Sequence, residues 1–213
     1  MPVVVTADIV GSRRLADRAS AQRVLDDAIA QVDHDLPVAE RPLRPTVGDE
    51  QQGVYPSLDA ALAAILLLRL ALPDDIDCRF GLGVGPIGAV PSAHGGIPDG
   101  PGWWAARAAI EHVHALQQRA VPAARTWVVV DEAEPDAARS ALPFVNAYLL
   151  ARDQLVDEMT ERTRRLTYGR CLGRTQRALA DAEGITQSAV SQALSASGAA
   201  ALVEGFGLLD LPG

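Results

Sequence analysis

Apolar residues recur along this chain first at spacings of strands alternating with helices, and then, from about residue 133, at helical spacing alone. Val3-Val4-Val5 is an unbroken β-branched run, the mark of a buried strand, and it continues through Thr6 and Ala7 to Asp8. Val24, Leu25, Ala28, Ile29 and Val32 repeat at helical spacing, which predicts an amphipathic helix over 20–32, broken off by Pro37 and Pro42. Pro45-Thr46-Val47 leads as a short strand into a Gly48-Asp49 hairpin, and Gln52-Gly53-Val54-Tyr55 is the return strand. Ser57 caps an apolar helix that runs to about residue 72. Residues 77–84 form a fourth strand, whose glycines call for close approach of another backbone or a ligand. Residues 85–102 are rich in Gly and Pro and read as a long, site-forming loop, followed by a helix over 103–118 and a strand over 126–130. This alternation predicts an α+β domain over 1–132.

The remainder divides into connecting helices over 133–166 and a small helical domain over 167–213. A short helix is expected before Pro143, then a longer one over 145–165 that enters the last domain without a flexible linker. There Ala180 lets two helices cross closely, Gly184 takes the tight turn, and Ile185, Val190 and Leu194 anchor the second helix, which is helix-turn-helix spacing. Such units also serve as packing or dimer modules, and Glu183 occupies a usually apolar position. The apolar tail over 199–203 suits a contact in a homodimer.

Composition narrows the class. The 213 residues are 48% apolar, enough for one medium domain and a small one. The longest apolar stretch, 60–72, is interrupted by Arg69 and too short to span a bilayer, so no membrane partner is expected. The N-terminus has no basic region before its apolar run, unlike a signal peptide. Cys78 and Cys171 fall in separate segments, so a cytoplasmic protein without a disulfide framework is expected. The net charge of −8 argues against nucleic acid, but its distribution does not. Residues 1–160 carry 13 arginines against 22 acids, whereas Arg162, Arg164, Arg165, Arg170, Arg174 and Arg177 crowd the start of the remainder.

Two sets of residues carry candidate chemistry. Asp8 closes an apolar strand and Asp49 sits in the hairpin, an arrangement able to hold Mg2+ or Mn2+ against a phosphate, since Mg2+ needs few protein carboxylates. Gly11 and Ser12 stand where the chain leaves the strand to open a helix, whose free N–H groups bind phosphate. The plain alternative makes Asp8 a turn cap and Asp49 an ordinary hairpin residue. In the C-terminal set, Thr186, Gln187, Ser188 and Gln192 offer short hydrogen-bonding side chains to base edges of duplex DNA, and Arg174 offers charge to its phosphates. His34, His94, His112 and His114 have no metal-ligand spacing.

The segments Asp8-Ile9-Val10-Gly11-Ser12, Thr46-Val47-Gly48-Asp49, Phe80-Gly81-Leu82-Gly83-Val84-Gly85-Pro86 and Ala105-Ala106-Arg107 resemble the core motifs of class III nucleotidyl cyclase domains. Val47-Gly48-Asp49-Glu50 is also similar to the hairpin of diguanylate cyclases. Over nearly its full length the chain resembles the SatD family, on Gly48-Asp49-Glu50-Gln51-Gln52-Gly53, Asp99-Gly100-Pro101-Gly102-Trp103-Trp104-Ala105-Ala106-Arg107 and Ser188-Ala189-Val190-Ser191-Gln192. The resemblance implies a ferredoxin-like βαββαβ palm core, Asp8 and Asp49 as metal ligands, and Arg107 as a phosphate-binding arginine. Arg107 and Glu111, four apart on one helix, equally suit an intrahelical pair. Trp103 replaces the ribose-orienting asparagine of cyclases, and Pro45 replaces their purine-reading lysine. Phosphate binding is therefore expected without cyclisation.

Two functions follow as expectations: a cytoplasmic DNA-binding regulator whose cyclase-like domain takes a nucleotide or other phosphate ligand with a divalent metal, or a nucleotide-processing enzyme with an accessory helix-turn-helix.

Overall fold

A computed structural model describes residues 1–12, 15, 17–46, 48–92 and 95–211. Val47 of the expected hairpin strand, and His94, lie outside these described residues. The fold is mixed α+β. Strands β1 (Val3–Ile9), β2 (Arg41–Pro45), β3 (Gln51–Tyr55), β4 (Cys78–Val84) and β7 (Thr126–Val130) form one sheet in the order β2-β3-β1-β4-β7. β1 runs antiparallel to both neighbours, while β4 and β7 are parallel.

The pleat assigns each face its layer. Val3, Val5, Ala7 and Ile9 of β1 and Cys78, Phe80, Leu82 and Val84 of β4 join the main core with helices α1 (Arg18–Asp35) and α2 (Leu58–Ala71). On the alternate positions, Gly81 and Gly83 leave β4 bare for helix α3 (Pro101–Arg119). A methyl group on Gly83 would overlap the carbonyl oxygen of Gly102 and the amide of Ala106. The strand glycines thus serve a backbone rather than a ligand.

Several sequence expectations shift. β2 lies four residues earlier than expected, and α1 extends to Asp35. The stretch read as a loop contains a separate two-stranded ribbon, β5 (Gly88–Ser92) with β6 (Gly95–Asp99). Helix α4 (Asp136–Asp157) runs through Pro143, which lies only eight residues into it and removes one amide donor. The long helix expected to reach residue 165 instead breaks after Asp157. Thr160 then caps a new helix, α5 (Glu161–Cys171), by accepting from the amide of Thr163. The boundary expected between 166 and 167 falls inside α5. Helices α6 (Gln176–Glu183), α7 (Gln187–Ala196) and α8 (Ala199–Phe206) follow. Leu166, Leu179, Val190 and Leu194 belong to the same buried cluster as the sheet, so one core spans both parts.

α4 seals the outer edge of β7. The Asn146 amide accepts from the Val128 N–H at 2.9 Å and donates to its carbonyl at 3.0 Å, standing in for a missing strand. Two turns on, Asp153 is fully buried and accepts from the amides of Arg125 and Thr126, each at 2.7 Å, and from Arg69 Nη1 at 2.7 Å. Burial pushes the pKa of Arg69 down from its ordinary value, against the pull of Asp153.

Because the obstacle at Gly83 is backbone, Gly83→Ala cannot be absorbed by a rotamer change. It should lower the unfolding free energy by about 3 kcal/mol in urea titrations, the upper part of the range for overpacking. An unchanged midpoint would contradict the close seating of α3.

Candidate functional site

β1 and β4 pair in a register that sets Asp8 directly opposite Arg79 on the α3 face of the sheet. Arg79 Nε and Nη2 donate to the two Asp8 carboxylate oxygens, both at 2.9 Å, and Nη1 donates to Gln117 Oε1 on α3 at 3.2 Å. The hairpin turns at Gly48, whose φ of 72° is left-handed and suits glycine, and closes with Thr46 N–H donating to the Glu50 carbonyl at 2.9 Å. This turn brings Asp49 to the same cleft, where it faces Arg18 Nη2 at 3.6 Å.

The cleft has a volume of 610 Å³ and is walled by Asp8, Asp49, Glu50, Arg79, His114 and Gln117, with Gly11 and Ser12 at one side. A second cleft of 280 Å³ shares Ser12 and Asp49 and reaches Arg18 and Ala19 in the first turn of α1. Together they have the size of a small-molecule site. The side chains of Asp8 and Asp49 are 30% and 28% exposed, against 9% for Arg79.

The structure therefore gathers Asp8, Asp49, Gly11 and Ser12 into one cleft, with two differences from expectation. Gly11 turns at φ 70° and the Ser12 carbonyl accepts from the Leu15 amide at 3.3 Å, while α1 itself starts later, at Arg18, capped by Asp17, which accepts from the Ser20 amide. Arg107 is exposed on α3 seven residues before His114, about 10 Å along the axis, and it does not line the cleft. Among the described residues it makes no ion pair, with Glu111 or any other acid. Trp103 also points elsewhere and lies beneath the Arg41 guanidinium, 5.6 Å from the ring centre. Sequence reasoning missed Arg79, His114 and Gln117. A basic residue on the strand facing Asp8 was the available signal for the first.

Among the described residues no three His, Cys, Asp or Glu side chains are placed to hold a metal ion. Each oxygen of Asp8 retains a lone pair beyond its bond to Arg79, so the carboxylates here suit a hard cation that completes its shell with phosphate and water.

At the far end, α7 buries Val190 and Leu194 and exposes Gln187, Ser188 and Gln192. Thr186 caps the helix, its hydroxyl accepting from the Ala189 amide at 3.1 Å. The preceding turn pivots on Gly184 at φ 64°. The arginine cluster proves divided. Arg164 is buried and donates to Asp74 and to the Leu72 carbonyl. Arg165 makes a two-pronged bond to Glu183, both contacts 2.8 Å, and holds that carboxyl below its usual pKa. Arg174 and Arg177 remain exposed, before and within α6.

Residues 3–203 match the sequence model of the SatD family. No curated protein matches the chain. Among solved structures it is similar to the catalytic core of a rhodopsin-guanylyl cyclase with converted specificity in complex with ATPalphaS, at 19% identity and a TM-score of 0.39, over 52% of this chain and 71% of that one. It is similar to a bacterial light-regulated adenylyl cyclase at 15% identity and a TM-score of 0.40, over 56% and 71%. For the adenylyl cyclase CyaB from P. aeruginosa the identity is 11% and the TM-score 0.37, over 55% and 81%.

The two aspartates differ in what they hold. Asp8→Ala strands a buried guanidinium and should cost about 2–4 kcal/mol, whereas Asp49→Ala faces an exposed Arg18 and should cost less than about 1 kcal/mol. Denaturant titrations giving equal costs would contradict the pairing.

Proposed function

The chain belongs to the SatD family, and from that premise we propose that it is a DNA-binding regulator whose sheet domain binds a nucleotide or related phosphate ligand with Mg2+ or Mn2+. The observation that carries the DNA reading is the outward face of α7. Gln187, Ser188 and Gln192 stand exposed on a helix fixed from behind by Val190 and Leu194, and Arg174, before α6, is exposed as well. We read α6, the Gly184 turn and α7 as a helix-turn-helix, in which the second helix enters the major groove by its N-terminal residues. In this reading Thr186 positions the helix by capping it, while Gln187, Ser188 and Gln192 meet base edges.

The ligand reading rests on the paired charges of the cleft. We take the order β2-β3-β1-β4 as a ferredoxin-like βαββαβ core with β7 added, which sets Asp8 and Asp49 at one edge. Asp8 and Asp49 would hold the metal, which would neutralise phosphate charge when bound. Arg79 and the first-turn amides of α1 supply positive potential for the phosphates, and Gly11 and Ser12 bring backbone close to them. Arg107 stands outside this cleft, so its phosphate role needs a ligand that extends along α3. The enzyme reading is favoured by the three carboxylates of the cleft, and disfavoured by Trp103 and Pro45, which supply no ribose or base contact there.

Selection from a random duplex library by the full chain should enrich a defined sequence. Gln187→Ala should relax that preference by about 1–3 kcal/mol, and Arg174→Ala should weaken all sequences while lowering the salt slope by about one. A library that enriches nothing, with manganese-dependent turnover of ATP that Asp49→Ala abolishes, would replace the regulator with the enzyme.

A further inference from the structure

Where α2, α4 and α5 meet lies a pocket of 230 Å³ that shares no residue with the two clefts described above. α2 supplies Arg69, the segment between α2 and β4 supplies Asp74 and Asp77, α4 supplies Asp157 and α5 supplies Arg164. The rest of the wall is apolar, with Leu72, Ile76 and Val156. Sites for drug-sized ligands take about 300–1,000 Å³, so this pocket admits a smaller molecule.

The ion pairs around it balance in sum but not in place. Arg69 and Arg152 both donate to Oδ1 of Asp153, so two cations share one carboxylate. Asp77 and Asp157 share one cation instead: Arg125 Nε donates to Asp77, and its Nη2 stands 3.6 Å from Asp157. Arg164 and Asp74 pair with each other. The pocket thus has a positive pole at Arg69 and a negative pole at Asp77 and Asp157. The poles are anchored one turn apart on α4, at Asp153 and Asp157, about 5–6 Å along that helix. Both have bonding capacity left. Arg69 meets Asp153 through Nη1 alone, so Nε and Nη2 remain on a side chain that is 5% exposed and lines the pocket. Asp77 and Asp157, 37% and 45% exposed, each turn one oxygen to Arg125 and keep the other. Arg164 has a buried Nε without a partner.

We propose that this pocket binds a free α-amino acid with a small aliphatic side chain, its carboxylate on Arg69 and its ammonium between Asp77 and Asp157. A carboxylate takes the guanidinium edge through paired, charge-assisted hydrogen bonds. Burial already holds the Arg69 pKa below its ordinary value, and a carboxylate there supplies the counter-charge. A simple anion would leave the acidic pole unmatched, a simple amine the basic one, and either would add net charge to a balanced site. A zwitterion adds none. Both charges of an α-amino acid sit on one carbon, which suits poles this close, and its side chain then lies against Leu72, Ile76 and Val156.

The test is isothermal titration calorimetry of the full chain with L-alanine and L-valine as probes. At least one should bind at a single site and raise the melting temperature, because a ligand of the native state stabilises it. Acetate, methylamine and γ-aminobutyrate, which carry one charge or two charges far apart, should bind at least tenfold more weakly. Asp157→Lys sets an ammonium of the chain's own beside Asp77 and should lower the amino-acid affinity at least tenfold, with far-UV circular dichroism unchanged. Asp157→Asn, which removes charge without adding a longer side chain, replaces it if the lysine variant unfolds. Failure of both amino acids to bind, a control ligand that binds as well as they do, or undiminished affinity in the folded Asp157 variant would each overturn the assignment.

Discussion

The carboxylate of Asp153 is the point on which the rest of this fold depends. From α4 it accepts two amides at the start of β7, meets Arg69 of α2, and is bonded by Arg152, so the sheet edge, the core helix and α4, from which the C-terminal helices follow, share one anchor. A buried pair of this kind gives little net stability compared with an apolar replacement, but it fixes geometry, because any shift of α4 leaves charges uncompensated. Asn146 extends the same role by filling the hydrogen-bonding groups of Val128. α4 is thereby held as if it were a sixth strand.

That anchor determines how far the cleft and α7 are independent. α5 follows α4 after a three-residue break and is tied back by Arg164 to Asp74 and by the Tyr168 hydroxyl, which donates to Asp35 at 2.7 Å. α6 is tied to α5 by the two-pronged Arg165–Glu183 bond. Each link joins the helices to the sheet domain or to one another, and the apolar core continues beneath them. A ligand that altered the sheet domain would therefore act on a connected body rather than through a loose tether.

How much of this was legible in the sequence follows from which interactions are local. That Asp8 closes a strand and Asp49 sits in a Gly-Asp hairpin was readable, since each is set by neighbouring residues. That Arg79 faces Asp8 was signalled only by its being the basic residue of the fourth strand, because the register that pairs them joins residues 71 apart. Arg164 looked like one member of a basic stripe, and only packing against α2 turns it inward. Asp153 resembled an ordinary charge on a helix surface. Pro143 and the Gly- and Pro-rich stretch misled in opposite directions: α4 continues through Pro143 because the helix is held by its packing on β7, and Pro91 and Pro98 sit in a ribbon with few ladder bonds to lose. Whole elements with clean periodicity, such as α2 and β1, were correctly anticipated.

The central claim is that the sheet domain and the C-terminal helices form one cooperative unit through the Asp153 anchor. Trp103, Trp104 and Trp127 all lie before α4, so tryptophan fluorescence reports the sheet domain, while far-UV circular dichroism is weighted towards the helices of the whole chain. Urea unfolding followed by both signals on the full chain is the direct measurement. Coincident transitions with one midpoint are predicted, as for a two-state unit. A helical transition that separates from the fluorescence change would contradict the account and leave two modules joined only by the chain.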